Sequence, residues 1–320
     1  MKKSLFPRLA LMAVVVALIS ACSEKKFEYT NVIPANASTV VSINMKSLVD
    51  KAGLNDKENK EVQEKLTNAL KSGMNAATFQ QMEMIMKDPK KSGIDVSAPL
   101  YVFNTETFPT TVIAKVSNED DLHALLETLE KEKVCQPLAS GDGFQFTQMG
   151  NQVFMAYTPS VLMLTNYKGT TQLEKIKQDI PALLKQTNEN SIVSTAVFKK
   201  MQKMGGDIDA MLSPASLIGP YANMIKESDM PFNMKDLKML GSLSFEKGKI
   251  SMKYENFTES LELQALFDKQ KKATCPIENT FLKYFPKSTL MYISAGINGE
   301  EFYLSLIHIS EPTRLLSISY

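Results

Sequence analysis

The strongest constraint on the fold of this chain is a run of short segments rich in β-branched and aromatic residues, separated by hairpin turns. The segments cover residues 144–148, 153–157 and 161–166, and the turns between them are Gly150-Asn151 and Thr158-Pro159-Ser160. Turns this short join only antiparallel neighbours, because a parallel connection needs about a dozen residues or more. The run therefore predicts an antiparallel sheet. Further strands are predicted at residues 39–43, 100–103, 110–116, 240–245 and 250–254.

Amphipathic segments lie between these groups of strands. The clearest one begins at Ser117, a predicted N-cap with Asp120 three residues on. Its apolar face consists of Leu122, Leu125, Leu126 and Leu129. Other helices are predicted at residues 46–52, 58–71, 76–87, 171–184 and 196–204, with interrupted helical sequence at 205–235. Runs of strands that alternate with runs of helices predict an α+β fold with antiparallel sheets and packed helices, rather than a doubly wound parallel sheet.

The N-terminus has the layout of a secretory signal peptide. A short basic stretch precedes an apolar segment at residues 9–19, which is too short to cross a bilayer core of about 30 Å. The tetrad Ile19-Ser20-Ala21-Cys22 follows and resembles a bacterial lipobox, in which the cysteine is acylated and the peptide is cleaved before it. These features predict a lipoprotein signal peptide at residues 1–21, lipidation at Cys22 and a tether at residues 22–31. An ordinary secreted protein with a chance cysteine is the alternative.

The C-terminal segment matches a laboratory sequence. Residues 304–314 read LSLIHISEPTR, which matches the translation of a transposase adapter used in sequencing libraries. Residues 318–320 match the start of the primer site that follows the sample index. The sequence therefore predicts that residues 304–320 are an adapter artefact, that the natural protein continues past Tyr303, and that His308 has no role.

Between these ends, the sequence predicts an α+β domain at residues 32–190, followed by a helical segment and a hairpin at residues 191–283. A weak internal repeat relates IPANASTVVSI at residues 33–43 to FPKSTLMYI at residues 285–293. Pro, Ser, Thr and Ile match once a gap is allowed. The repeat predicts a duplicated unit whose second copy begins at residues 284–303, and chance similarity of two strand entries is the alternative.

Two stretches carry a resemblance to a known family. Residues 29–54 read YTNVIPANASTVVSINMKSLVDKAGL, and residues 92–103 read SGIDVSAPLYVF. Together with the lipobox, they resemble an uncharacterised family of Bacteroidetes lipoproteins known only as a domain of unknown function. The resemblance implies lipoprotein character and truncation at the C-terminus, but it implies no reaction.

The residues after Cys22 bear on localisation. Ser23 is not the aspartate that retains lipoproteins at the inner membrane of some bacteria, which favours the outer membrane. Surface display in Bacteroidetes depends on an acidic stretch after the cysteine, and only Glu24 is acidic here. The periplasmic face is therefore predicted, with surface display as the alternative.

The composition offers little for catalysis. The chain has 36 basic and 35 acidic residues and a net charge of +1, so no basic surface for nucleic acid is expected. Outside residues 304–320, His123 is the sole histidine, and it is interpreted as a surface residue. The sequence contains no G-x-S-x-G motif, no P-loop and no histidine-based zinc motif, so no enzyme activity, metal or cofactor is predicted. Cys135 and Cys275 are predicted to be separate buried thiols, with a disulfide as the alternative.

Methionine is unusually frequent, with 19 residues, and many of them lie in one segment. The members of this group are Met201, Met204, Met211, Met224, Met230, Met234 and Met239. Thioether side chains fill irregular cores, but they also form adaptable apolar surfaces for partners, and they can bind Cu(I). The segment is therefore a candidate surface for a protein partner or an apolar ligand, with core packing and copper binding as the alternatives.

Together these features predict a lipid-anchored protein of the envelope that binds or scaffolds without catalysing a reaction. The alternative is an accessory glycan- or peptide-binding lipoprotein of an uptake system. The absence of Trp reduces the expectation of sugar stacking, although ten Tyr residues leave it open.

Overall fold

The computed structural model describes residues 28–53, 59–73, 76–218, 233–277, 279–289 and 294–303. The predicted signal peptide, the lipidation site Cys22 and the predicted adapter segment lie outside the described residues. The tether, which was predicted to run to residue 31, ends earlier in the structure. Tyr29–Val32 forms a 3-10 turn in which Thr30 and Asn31 are buried, so the fold begins before residue 32. The reason is that the Tyr29 side chain is held by the sheet, as described below.

Within the described residues, ten strands form one sheet. They are β1 (Thr39–Ile43), β2 (Leu100–Asn104), β3 (Thr111–Lys115), β4 (Ala139–Ser140), β5 (Gln145–Met149), β6 (Val153–Tyr157), β7 (Val161–Asn166), β8 (Ile208–Leu212), β9 (Lys238–Glu246) and β10 (Lys249–Phe257). Their order is β10-β9-β8-β1-β2-β3-β7-β6-β5-β4. The pairings of β1 with β2 and β8, of β3 with β2 and β7, and along β7-β6-β5-β4 are antiparallel.

Besides a helical stretch at residues 299–303, eight α-helices accompany the sheet in the described part of the chain. They are α1 (Met45–Lys51), α2 (Lys60–Gly73), α3 (Ala76–Lys87), α4 (Glu119–Lys131), α5 (Gly169–Leu184), α6 (Ala196–Gln202), α7 (Pro214–Ile218) and α8 (Leu261–Lys272). The large antiparallel sheet with packed helices confirms the predicted α+β fold. The duplication predicted from residues 285–293 stays a prediction.

The start of α4 differs by one residue from the predicted N-cap. Asn118, not Ser117, has the extended backbone of an N-cap, and its side-chain oxygen accepts hydrogen bonds from the amides of Asp120 and Asp121 at 3.0 and 3.3 Å. Three acidic residues in the first turn, beginning with Glu119, favour the helix further, because they face its positive end.

Helices pack on both faces of the sheet. On one face, Val40 lies opposite Phe103, Tyr101 lies opposite Ile113, and all four side chains are buried. The ring of Phe198 from α6 lies 5.8 Å from that of Tyr101, so α6 packs on this face.

The opposite face forms a second apolar core. Ala114 of β3 lies opposite Leu162 of β7, and Tyr157 of β6 lies opposite the same leucine. Leu122 and Leu126 of α4 are buried against them. The helix face predicted from the leucine spacing is therefore the face that covers the sheet.

Strand β8 corrects the predicted domain boundary at residues 190/191. It pairs with the central strand β1, with Val41 opposite Ala210, although residues 205–235 were expected to be interrupted helix. The described chain divides into two compact units, one with residues 28–212 and 240–255 and the other with residues 213–239 and 256–303. The first unit thus includes β8 and most of β9 and β10, because their backbone groups complete the sheet.

Two further features follow from the described residues. Cys135 is a buried free thiol, as predicted, whereas Cys275 is a free thiol that is exposed, contrary to prediction. No helix in the described ranges has the length and apolar character needed to cross a membrane.

Candidate functional site

The main cleft of the first unit lies at one end of its sheet, where β1 and β3 end and where β2 and β8 begin. It has a volume of about 700 Å³. Its lining residues come from the sheet, from the 3-10 turn at Tyr29–Val32, from the end of α6 and from the loop at Gly205-Gly206.

The floor of the cleft is a row of polar and aromatic side chains across three strands. Asp209 of β8 lies opposite Ser42 of β1, and Ser42 lies opposite Tyr101 of β2. Residues directly opposite one another in an antiparallel sheet project from the same face. The sheet therefore places a carboxylate, a hydroxyl and a phenol ring side by side.

Tyr29 forms a wall next to this row. Its hydroxyl donates a hydrogen bond to the carbonyl oxygen of Pro99 at 2.8 Å, and its ring lies 5.9 Å from that of Tyr101. Burial, together with the nearby Tyr101, Asp95 and Glu28, raises the pKa of Tyr29 well above its usual value. Tyr29 therefore stays a neutral phenol that supports the cleft.

The carboxylate of Asp209 is held by the loop before β8. Both of its oxygens accept from the backbone amide of Gly206, each at 3.1 Å. A Cβ atom at position 206 would lie 2.3 Å from the Ser242 hydroxyl oxygen and 2.7 Å from Asp209 Oδ1. Only glycine permits this close approach, so the backbone of the loop fixes the orientation of the cleft's buried acid.

A second buried acid anchors the same loop. Asp207 accepts hydrogen bonds from Lys51 Nζ, at 2.7 Å to each oxygen, from the Ser47 hydroxyl, and from the Phe245 amide at 2.6 Å. Burial by itself would raise the pKa of Asp207, but Lys51, Ser47 and the Phe245 amide outweigh it and lower the pKa. Asp207 is therefore an ionised anchor that joins α1, β8 and β9 and holds the cleft wall in place.

The cleft's lysine is also paired. Lys115 Nζ lies 2.9 Å from Asp95 Oδ2. Hydrogen bonds from Ser97 and then Lys115 lower the pKa of Asp95 to about 2. The positive charge at this end of β3 is thus neutralised within the protein.

The cleft also contains uncharged polar side chains that can donate and accept hydrogen bonds. The cleft presents Ser42, Asn44 and Gln202 beside its tyrosine rings, and its lining contains neither histidine nor cysteine. Hydroxyl and amide groups next to aromatic rings provide directed hydrogen bonds and an apolar contact surface.

The methionines predicted to form a partner surface are not gathered at this cleft. Met201 and Met211 are 0% and 1% exposed, so the prediction is wrong for these two, which pack in the core of the first unit. Met204, Met234 and Met239 are half-buried. Met224 and Met230 lie outside the described residues. Core packing, the alternative noted from the sequence, explains Met201 and Met211, because both lie on elements that cover or form the sheet.

His123 lies on α4, away from the cleft. Its Nδ1 atom is 2.6 Å from the hydroxyl of the buried Tyr157, and its Nε2 atom is 3.4 Å from Glu127 Oε1. The histidine is partly exposed and packs at the end of the second apolar core. Among the residues that the structure describes, no group of three or more His, Cys, Asp or Glu side chains is arranged to hold a metal ion.

Sequence reasoning missed the residues that form the cleft. The one local signal was Asp209, an acid within a short apolar stretch directly after two glycines. Tyr29 was assigned to the tether, and Ser42 was read as an ordinary strand residue. Their proximity arises from strand register, which no local motif encodes.

Fold and cleft together define an α+β protein with a broad antiparallel sheet and a polar, tyrosine-walled cleft at one end of it. Residues 29–314 match the family described as Domain of unknown function (DUF4836), and the chain belongs to that family. The predicted resemblance is thereby confirmed at the level of the domain of unknown function. Bacteroidetes origin and lipoprotein character stay predictions. The matched range extends into residues 304–314 and so gives no support to the predicted adapter artefact.

No curated protein matches the chain. Similar solved structures are three crystal forms of TP0453. Forms III and I share 8% identity, each covering 79% of this chain and 90% of that chain, with TM-scores of 0.41 and 0.39. Form IV shares 9% identity over 90% of this chain and 99% of that chain, with a TM-score of 0.43.

Proposed function

We propose that this chain is a lipid-anchored protein of the bacterial envelope that binds a ligand or scaffolds a partner without catalysing a reaction. The observation that carries the binding role is the cleft over Ser42, Tyr101 and Asp209. Two of its charged groups, Asp209 and Lys115, are held by internal hydrogen bonds and an ion pair, and its hydroxyls, amides and aromatic walls border open space. Such a site favours recognition over proton transfer.

The cleft gives specific support to the second candidate, an accessory glycan- or peptide-binding protein of an uptake system. Sugars and short peptides both carry many hydrogen-bonding groups along an otherwise compact chain. Asn44, Gln202 and Ser42 offer donors and acceptors to such a ligand, and Tyr29 offers a ring face beside them.

Binding can be tested with defined mixtures of short oligosaccharides and tripeptides, read by thermal unfolding of the purified chain. A ligand that binds only the folded state raises the melting temperature, and the stabilisation grows with the logarithm of one plus the ligand concentration divided by the dissociation constant. Gln202→Trp, at the cleft mouth, should abolish that rise, whereas Gln178→Trp on the exposed surface of α5 should preserve it. Equal shifts in both variants would place binding elsewhere, and release of cleaved products would make the protein an enzyme.

The anchor is proposed from the lipobox ending at Cys22, with the outer membrane as the location and its periplasmic face as the side. Each buried CH₂ of an acyl chain contributes about 0.8 kcal/mol, and more than one chain gives stable attachment. Cys22→Ala should transfer the chain from the detergent phase to the aqueous phase on phase separation, or leave it uncleaved. Cys275→Ala, which removes an exposed thiol, should change neither the phase in which the chain is found nor its cleavage.

Two results would contradict the anchor and its side. A cleaved Cys22→Ala chain that stays in the membrane fraction would show that the lipid is not the anchor. Removal of the protein from whole cells by external protease would show surface display instead of the periplasmic face.

A further inference from the structure

Two buried acids at the start of β8, Asp207 and Asp209, differ in how their charge is compensated. Asp207 is 3% exposed and accepts hydrogen bonds from Lys51, from the Ser47 hydroxyl and from a backbone amide. Asp209 is 6% exposed, and in the described part of the chain its carboxylate accepts from one group alone, the amide of Gly206. The first acid is thus paired with a cation, whereas the second is bound by an amide.

The single donor leaves the Asp209 carboxylate incompletely compensated. A carboxylate has two oxygens with about four positions that accept hydrogen bonds. One N–H group, shared between both oxygens at 3.1 Å, fills only a small part of that capacity. Taking a charge out of water is unfavourable unless it is paired, so buried carboxylates usually have a cation beside them. Asp209 therefore has acceptor positions that a ligand can complete.

The carboxylate of Asp209 borders the main cleft. It belongs to the cleft lining, and Ser42, which also lines the cleft, lies directly opposite it on β1. The loop at Gly205-Gly206 holds the carboxylate in place from the other side. A ligand group that reaches this end of the sheet therefore meets a fixed carboxylate with a serine hydroxyl beside it.

The rest of the lining favours a positive charge. Lys115 is the basic residue of the lining, and its ammonium lies 2.9 Å from Asp95, so its charge is already paired. Glu28 adds a second carboxylate, which is exposed. The rings of Tyr29 and Tyr101 line the same space, and ammonium groups are attracted to the faces of aromatic rings. Charge and aromatic rings thus select a cation.

An ammonium group suits this position better than a metal ion. Hard metal ions take about six oxygen ligands or more. Among the residues that the structure describes, no group of three His, Cys, Asp or Glu side chains is arranged as metal ligands. A primary ammonium has three N–H donors and needs only a few acceptors, such as the Asp209 carboxylate and the Ser42 hydroxyl.

We propose that Asp209 determines the specificity of the cleft, and that its ligand carries a primary ammonium group, as the amino terminus or a lysine side chain of a short peptide does. The ammonium binds the Asp209 carboxylate, and the Ser42 hydroxyl accepts a further hydrogen bond from it. A neutral sugar has no such charge, so this assignment favours a peptide over a glycan. The inference rests on the proposed binding function and names the class of ligand.

The test compares three mixtures of C-terminally amidated tripeptides by thermal unfolding of the purified full chain. The first mixture has free amino termini and no basic side chains, the second has acetylated termini and a lysine, and the third has acetylated termini and no basic side chains. We expect at least one of the first two to stabilise the chain at concentrations about tenfold or more below those that the third requires. The first two mixtures distinguish the amino terminus from the lysine side chain as the source of the ammonium.

A pair of charge-removing variants assigns this preference to one residue. Asp209→Asn keeps the shape of the side chain and an oxygen for the Gly206 amide, and it should weaken binding of the ammonium mixtures about tenfold or more, to the level of the neutral mixture. Asp142→Asn removes the same charge from an exposed acid outside the cleft and should leave the preference unchanged. If unliganded Asp209→Asn unfolds early, the three mixtures on the unsubstituted chain decide the question.

The outcomes separate this inference from the binding role on which it rests. Equal responses to all three mixtures, or a folded Asp209→Asn chain that still prefers the ammonium mixtures, would overturn the inference and leave a binding function in place. Stabilisation by neutral oligosaccharides alone would do the same. A chain that no mixture stabilises would contradict the proposed function, and the inference with it.

Discussion

The strand pairs β2–β3 and β9–β10 are both hairpins of consecutive strands. The apolar side chains of their second strands, β3 and β10, differ in burial. Ile113 of β3 is wholly buried between β2 and β7, beneath helices of the first unit, while Ile250 of β10 is 69% exposed. Strand β10 alternates polar and apolar residues, whereas β3 has three apolar residues in a row at positions 112–114. An isoleucine is therefore buried where its strand is covered by a neighbouring strand and by helices, and exposed where it is not.

The largest expected effect comes from truncating the two isoleucines. Ile113→Ala should lower the free energy of unfolding by about 3–4 kcal/mol, because it leaves a cavity in a closed core. Ile250→Ala should change it by less than about 0.5 kcal/mol, because little apolar surface is buried there. Urea denaturation at concentrations where the chain is monomeric measures both. Similar losses would mean that the β10 face is covered in solution.

Two glycines allow the packed and the open region to be compared through the backbone. Gly93 and Gly248 both have φ of +72°, but an added Cβ at Gly93 would lie 2.4 Å from the Asn118 oxygen and the Leu122 nitrogen, whereas Gly248 has no atom within 4 Å. Gly93→Ala should cost about 2–3 kcal/mol, because backbone at the start of α4 must move as well. Gly248→Ala should cost about 1 kcal/mol, from the left-handed conformation alone. Thermal unfolding distinguishes them, and equal costs would refute the close approach at Gly93.

The smallest effect concerns charge at the end of β3. Hydrogen bonds from Ser97 and then Lys115 lower the pKa of Asp95 to about 2, so these interactions stabilise the fold above the unfolded pKa of about 4, and this stabilisation is lost as pH falls towards 2. Lys115→Met should raise that pKa and lower stability at neutral pH by less than about 1 kcal/mol, because the pair is partly exposed. The control Lys185→Met, which removes the ion-pair partner of Asp142, should leave the pKa of Asp95 unchanged. NMR titration of the carboxyl groups measures the pKa of Asp95 in both variants. An unchanged pKa in Lys115→Met would contradict the role given to Lys115.

Local signals were enough to predict the hairpins and most helices. Residues 153–157 and 161–166 were predicted with the bounds that the structure has, because short turns and alternating side chains act over few residues. The α4 helix was predicted from its leucine spacing, with an error of one residue at the cap.

The parts that sequence reasoning missed depend on distant pairing. Strand β8 follows two glycines and contains Asp209, so its own residues do not favour a strand, and it forms one because β1 lies beside it. The cleft depends on the same pairing, since Asp209, Ser42 and Tyr101 meet only through register. The methionine segment was misread for the opposite reason. Composition indicated an adaptable surface, while the fold places Met201 and Met211 in the core.

The central place of β1 also sets an order of events during biosynthesis. One edge of β1 pairs with β2. The other edge stays unpaired until β8 has been synthesised, and β8 is encoded far downstream. Until residues 208–212 leave the ribosome, the stretch TVVSI has an open edge at the middle of the future sheet. Pairing across such separations is slow, and open apolar strands aggregate. A chain terminated before β8 is therefore expected to be a substrate for chaperones and proteases rather than a smaller folded protein.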